Sequence, residues 1–199
     1  MLSASVEDYA KAIYALEDRF GVASTTALAE RLGVSAPAVS AMVKKLAADG
    51  YVEHVRYRGM RLTDDGRRVA LEVLRHHRLL ETYLVEELGV PWESVHAEAE
   101  VLEHVLSEGL EARIAAKLGE PTHDPHGDPI PAQDGTLAEA DTVRLDALPE
   151  GERARFVRVS DSDPAVLREL GRLGIAPGDE VVAGKVGAKL AALMRVVAL

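Results

Sequence analysis

Six of the seven histidines fall between His76 and His126, interleaved with glutamates. Glu100, Glu103 and His104 stand at i, i+3 and i+4, a spacing that puts two carboxylates and an imidazole on one face of a helix. His77 and Glu81 repeat the i, i+4 relation on the preceding helical stretch, and Asp8 on the first helix is a candidate to close a site between three helices. Such an oxygen and nitrogen donor set suits Mn²⁺ or Fe²⁺. The 199 residues contain no cysteine, so disulfides, thiolate zinc, Fe–S clusters and cysteine nucleophiles are excluded. Taken singly, any of these side chains is more often a solvated acid or an incidental histidine. The two phased clusters together favour a metal, because a buried like-charged pair such as Glu100 and Glu103 needs a counter-ion. Glu98 and Glu111 are expected to be solvated, His54 to lie on the surface, and His123 stays open in its loop.

No HExxH, no serine nucleophile motif and no phosphate-cradling glycine loop accompanies the ligands. Ligand clusters without substrate machinery point to sensing, with no small-molecule substrate, and not to an enzyme. Two alternatives remain from the residues alone. One is a metal-dependent hydrolase or storage protein, since a metal with a carboxylate can activate water. The other is an architectural DNA-binding protein in which the metal is structural.

The elements that must carry these residues read as follows. Ser5 can cap a first helix with Val6, Tyr9, Ile13 and Leu16 on its apolar face, ending near Gly21. Residues 26–32 form a short second helix stopped by Gly33. Ser35 caps a third, with Pro37 in its first turn and Val39, Met42, Val43 and Leu46 as its stripe, closed by Gly50. Residues 52–55 and 59–62 read as strands around Arg56-Tyr57-Arg58. Long helical patterns cover 64–88 and 93–118. The segment 119–135, rich in Pro, Gly, Asp and His, cannot be a regular element. Strands are expected at 155–159, 180–186 and 190–197, with a helical piece at 164–173. Apolar residues make up 47% of the chain but aromatics only 4%, so the core must be built from Ala, Leu and Val.

The run 28–52 is helix, tight turn, helix. A helix about 12 Å wide fits the major groove of DNA, where its N-terminal residues meet base edges. The basic hairpin beyond it, with Arg56, Arg58 and Arg61, then acts as a wing on the backbone or minor groove. The DNA-facing candidates are Thr26, Ser35, Ala36, Pro37, Ser40, Lys44, Lys45, Arg56 and Arg58. Charge agrees with this division. The chain carries −10 in all, yet residues 25–68 hold eight basic against five acidic residues, and 93–150 hold fourteen acidic against three basic. Only the first part can sit against phosphates unaided. No segment approaches the roughly 20 apolar residues of a membrane span, so no membrane partner and a soluble, cytoplasmic protein are expected.

The motifs VEDYAKAIYAL, AERLGVSAPAVSAMVKKL, YRGMRLTDDGR, HHRLLETYL, HAEAEVLEHVLSEGLE, DPHGDPIP and RVSDSDPAVLRELGRLGIAPGDEV run through nearly the whole chain. Together they resemble the diphtheria toxin repressor family of metal-dependent transcriptional repressors, in its manganese-responsive branch. The resemblance implies a mainly α protein with a small β domain, organised as a winged helix-turn-helix over 1–72, a helical metal-binding and dimerisation domain over 73–135, a linker over 136–150 and an SH3-like β-barrel over 151–199. It implies a homodimer that binds double-stranded operator DNA as a repressor of metal-uptake genes when Mn(II) is bound. Fe(II) is the alternative ion, and other divalent transition ions are expected to bind in vitro. The family's primary site falls on Asp8, Glu100, Glu103 and His104. Iron-type members have Met and Cys at the first two of these positions, so Asp8 and Glu100 look like the manganese type. Lys11 stands where some manganese sensors carry a second glutamate. A second site falls on His77, Glu81 and His96, with Asp124 and His126 from the DPH motif and Asp161 or Asp163 completing it. Related members often have Cys where this chain has Asp124, which makes that site harder.

Overall fold

The computed structural model describes residues 2–55, 59–138, 140–161 and 163–199. The chain forms two compact units, Met1–Arg75 with Gln133–Gly135, and His76–Ala132 with Thr136–Leu199.

The first unit is built from three helices and a hairpin. Helix α1 (Ala4–Phe20) buries Val6, Tyr9, Ile13 and Leu16, and stops where Gly21 takes a left-handed conformation and donates to the Glu17 carbonyl. Its N-cap is Ser3 and not Ser5, and the Ser3 side chain makes no capping bond. Ser24 opens α2 (Thr25–Leu32) and Ser35 opens α3 (Ala36–Ala48), each hydroxyl accepting an amide of the first turn. Strands β1 (Val52–Val55) and β2 (Gly59–Leu62) pair antiparallel as a hairpin, Val52 opposite Leu62. Arg56 and Arg58, expected at the tip of this wing, lie outside the described residues. Ile13, Leu28, Leu46 and Met60 form the centre of the core.

Three contacts fix the hairpin to the end of α1. Ala23 and Met60 exchange both backbone hydrogen bonds, at 3.0 and 2.9 Å. Arg61 Nε donates to the Gly21 carbonyl at 2.8 Å, and the Leu62 amide donates to Glu17 Oε1 at 2.5 Å. Gly59 makes the first of these possible, since a Cβ there would lie 2.1 Å from the Ala23 carbonyl oxygen.

Helix α4 (Asp64–Leu88) opens in the first unit and continues through the second. The expected single helix over 93–118 is two, α5 (Val95–Leu102) and α6 (Glu108–Lys117). Ser107 adopts an extended conformation and caps α6 through its hydroxyl, and Gly109 follows, so the chain gains a new N-terminus instead of continuing the helix. Leu79, Leu80, Ala99, Leu106, Ile114, Ala115 and Ile130 pack between these helices. Residues 119–135 contain no helix or extended strand, as their composition requires.

The rest of the second unit is a four-stranded antiparallel sheet of order β3-β6-β4-β5, from β3 (Val143–Arg144), β4 (Arg153–Arg158), β5 (Glu180–Val182) and β6 (Arg195–Ala198). Helix α7 (Pro164–Leu173) covers it with Val166, Leu167 and Leu170, over a core centred on Phe156 and Met194. Among the described residues the sheet does not close into the expected barrel. The stretch expected as a linker supplies β3 and the buried Leu145. The strand expected over 180–186 ends at Val182, before Gly184 at φ +82°. The one expected over 190–197 begins instead as a short helix, α8 (Ala188–Ala191), because its Lys-Leu-Ala run is a good helix former.

Gly59→Ala is expected to destabilise the protein by about 1–3 kcal/mol, the cost of forcing apart a close-packed contact, compounded by a backbone that only glycine tolerates well. Urea unfolding of the full chain checks this. An unchanged midpoint would mean that the wing is not held at Ala23.

Candidate metal centre

The second unit gathers the ligand-type side chains from four separate stretches of chain. Helix α4 presents His77 and Glu81 one turn apart, and α5 begins with His96 and Glu100 in the same relation. Glu103 caps the end of α5, the 124–128 turn brings His126, and the residues after β4 bring Asp161. His77 Nε2 lies 3.1 Å from Glu81 Oε1 and 3.1 Å from His96 Nδ1. His96 Nδ1 is in turn 3.4 Å from Glu81 Oε1 and 3.0 Å from Asp161 Oδ2. One donor atom from each of these four residues can therefore face a common point.

Glu81 is wholly buried, and its other oxygen faces His126 Nδ1 at 3.6 Å. Neither Glu81 Oε2 nor His126 Nδ1 has a hydrogen-bond partner. Buried polar atoms are normally satisfied, so two facing orphans in a nest of carboxylates and imidazoles fit a divalent cation. His126 is aimed by its surroundings. Its Nε2 bonds the Trp92 carbonyl at 2.9 Å, and its ring stacks on the indole with centroids 5.7 Å apart. Such a bond on the far nitrogen leaves Nδ1 as the lone-pair donor.

The predicted residues part company in instructive ways. Glu103 is the C-cap of α5, still in helical conformation with its amide bonded to the Ala99 carbonyl at 2.9 Å, and His104 follows just beyond the helix. Glu103 is buried, with Oε2 at 2.5 Å from His77 Nδ1 and Oε1 at 3.6 Å from His104 Nε2. Glu100 is more open, 3.7 Å from His96 Nε2 and 4.0 Å from His77 Nδ1. Asp8 lies partly buried on α1, in the first unit. Asp163 is turned to another task, its Oδ1 accepting the Ala165 and Val166 amides as the N-cap of α7. Asp124 Oδ1 accepts the amides of His126 and Asp128 at 2.8 and 2.9 Å, while Oδ2 faces Arg78 Nε at 3.8 Å. Glu111, expected to be solvated, is buried beside His76. Arg78, Asp128 and Trp92, which hold the turn carrying His126, had no signal in the sequence beyond the HGDP turn itself.

On the first unit, Thr26, Ser35, Ala36, Pro37, Ser40, Lys44 and Lys45 are all exposed. All but Thr26 lie on α3 or its cap, forming one continuous small-residue and basic face.

Protonation follows from this packing. The Asp161 carboxylate, then Glu81, push His96 up to about 10 against the opposing effect of burial. Burial pulls His126 down, but Glu81 and Asp124 more than reverse it, to about 9. Burial alone would raise the Glu81 carboxyl, yet the imidazoles of His126, His77 and His96 hold it below the usual carboxylate range. Burial pushes Asp124 up to about 7, assisted by Asp128 and Glu81. His96 and His126 thus bind protons more tightly folded than at their unfolded value of about 6.5. The stability they add is fully present below about pH 6.5 and is lost as pH rises through about 9–10. Metal-stripped protein should therefore show a falling Tm between about pH 7 and 10, and Mn²⁺ binding near neutrality should release protons. A Tm flat across that range would overturn the assignment.

Three family models match successive parts of the chain. The iron dependent repressor N-terminal DNA binding domain covers residues 1–60, the iron dependent repressor metal binding and dimerisation domain 63–132, and the FeoA domain 143–194. The iron-dependent repressor IdeR of Mycobacterium leprae is 41% identical over 160 residues, spanning 77% of this chain and 70% of that protein. The diphtheria toxin repressor of Corynebacterium efficiens is 35% identical over 187 residues, 89% of this chain and 81% of that protein. A solved manganese-dependent transcriptional repressor in complex with manganese superposes with a TM-score of 0.87 at 41% identity, covering 98% of this chain and all of that one. With its DNA-binding, metal-binding and C-terminal domains all matched in order, the chain belongs to the iron-dependent, diphtheria toxin repressor family of metal-dependent transcriptional repressors, which are DNA-binding proteins and not enzymes.

Proposed function

We propose that this repressor is activated for operator binding by Mn(II). The observation that carries the reading is the donor set. Every buried candidate ligand in the second unit is a carboxylate or an imidazole, and the two residues that look manganese-like in sequence, Asp8 and Glu100, are carboxylates. Oxygen-rich sets suit Mn²⁺, whereas thioether and thiolate donors favour softer ions. Fe(II) is the second reading, supported by the iron-dependent relatives.

Two sites are proposed. The sensing site uses Asp8, Glu100, Glu103 and His104, an assignment that rests on the family pattern and the chemistry of these residues. The second uses His77, Glu81, His96 and His126 with Asp161, while Asp124 orders the turn that carries His126. A bound cation supplies positive charge that makes close approach of these carboxylates favourable. Without it, the like charges of Asp8, Glu100 and Glu103 repel, and α1 is not drawn toward the ligands. Glu103, touching both His77 and His104, is the residue through which the two sites would sense each other.

The domain pattern proposed is DNA binding over 1–72, metal binding and dimerisation over 73–135, and an SH3-like domain over 151–199 after the 136–150 segment. In the second unit Leu88, Val101, Val105 and Leu110 are exposed, Val101 at 72% and Val105 at 70%. An apolar surface of this kind on a dimerisation domain fits a second copy of the chain. A homodimer would then set two α3 helices, with Ser35, Ala36, Pro37 and Ser40 leading, against two operator half-sites. Lys44, Lys45, Arg56, Arg58 and Thr26 would contact the backbone.

The test uses a duplex selected from random DNA by the manganese-loaded protein. Mn²⁺ should tighten its binding by about 5–150-fold, the ordinary range of a sensor coupling. Asp8→Ala should remain folded and dimeric and bring that ratio toward one. A folded, dimeric Asp8→Ala variant activated as strongly as the parent would remove Asp8 from the switch. The double variant Asp8→Met, Glu100→Cys should shift the ranking of activating ions toward Fe²⁺. If the ranking is unchanged, the donors at these positions do not set the choice of ion.

A further inference from the structure

Glu17 stands in the last turn of α1, just before the left-handed Gly21. A carboxylate there faces the negative end of the helix dipole, and burial pushes its carboxyl above the usual range. Local helix physics works against this residue, so what compensates it comes from other elements. The Leu62 amide of β2 donates to it at 2.5 Å, Arg61 of β2 and Arg67 of α4 supply positive charge, and Glu53 of β1 opposes them. Alternate residues of an antiparallel strand bond to opposite edges, and Met60 and Leu62 both turn their amides away from β1. The Met60 amide meets the Ala23 carbonyl, and the Leu62 amide meets Glu17. The carboxylate thus takes the place that a neighbouring strand would fill.

We propose that Glu17 is a positioning residue for DNA binding, its oxygen at the free edge of β2 setting the angle at which the wing meets the DNA backbone. The proposal rests on the reading above that the hairpin contacts that backbone. The Ala23–Met60 pair is a single attachment about which the hairpin can pivot. The Glu17 bond lies two residues further along β2, roughly 6.6 Å away, and fixes the angle. Arg61 Nε also reaches the Gly21 carbonyl, but through a long, exposed side chain rich in rotamers. Thr63 holds the foot of β2 to Gly50 and Tyr51, from which β1 starts, so those bonds close the hairpin without aiming it. Reach, and not charge, is what the role requires. Glu17→Asp shortens the side chain by one carbon–carbon bond, about 1.5 Å, which takes the oxygen out of hydrogen-bond range. Glu17→Gln keeps an acceptor oxygen at the same reach and removes the charge.

Two measurements on the full-length, Mn²⁺-loaded protein test this: affinity for the selected duplex across a salt series, and amide hydrogen exchange at Ala23, Met60 and Leu62. Glu17→Asp should speed exchange at Leu62 at least tenfold while Ala23 and Met60 stay protected. It should also weaken DNA binding about fivefold or more and lower the salt slope by about 1, with dimerisation and the Mn²⁺ count unchanged. Glu17→Gln should match the parent in Leu62 protection and in slope. Parental affinity and slope in Glu17→Asp would overturn the proposal. So would equal impairment of Glu17→Gln, which would make charge the cause, or loss of protection at Ala23 and Met60 as well, which would make the effect one of stability alone. Arg58→Ala separates the two readings, since it should lower the slope with Leu62 fully protected. An unchanged slope there overturns the backbone contact and the role of Glu17 together, whereas a slope lowered by Arg58→Ala and not by Glu17→Asp overturns the role of Glu17 alone.

Discussion

A fully buried carboxylate, Glu81, is the constraint around which the second unit is arranged. Withdrawing a carboxylate from water costs several kcal/mol unless charge and hydrogen bonds compensate it. Compensation arrives as three imidazoles from three segments: His77 from the same helix, His96 from the start of α5, and His126 from an irregular turn. None of these segments is free to shift without exposing Glu81 to an uncompensated loss. Their mutual positions follow from one charge.

The same constraint reaches into the C-terminal sheet. The Val159 amide donates to the His126 carbonyl at 3.0 Å, and Gly127 lies so close to β4 that a Cβ would sit 1.9 Å from the Val157 carbonyl oxygen. Arg158 at the end of β4 pairs with Asp128 at 3.2 Å, and Asp161 follows to meet His96. Strand β4 thus leads into Asp161 beside His96 and braces the turn that carries His126. This gives the sheet domain a role in ordering the candidate donors that its small core alone would not suggest.

The DNA-facing surface is governed by economy of a different kind. The leading residues of α3 are small, and the Ser40 hydroxyl donates to the Ala36 carbonyl at 3.0 Å, so its proton is occupied within the helix. Few donors remain to read base edges. On the proposed reading, binding would lean on Lys44 and Lys45 against phosphates and on the shape of the groove, with a strong dependence on salt.

Local signals fixed much of the architecture before any long-range packing is considered. Serine caps and left-handed glycines set the ends of α2 and α3, two short runs around a basic turn marked the hairpin, and unbroken 3.6-residue periodicity set all of α4. The absence of cysteine likewise restricted the donors to oxygen and nitrogen. Other features depend on partners distant in the chain. Periodicity runs through 93–118 without a break, because the Ser107 cap competes with a helix that is locally acceptable, and the packing of Leu106 and Ile114 decides between them. Asp161 and Asp163 are indistinguishable by type and nearly so by position, yet one meets His96 and the other caps α7. Glu111 reads as a solvated acid on an amphipathic helix until α4 is packed against it with His76. Whether a titratable side chain is a ligand, a cap or a solvated charge depends on desolvation and on the charges facing it. Those are properties of the assembled core, which no local spacing contains.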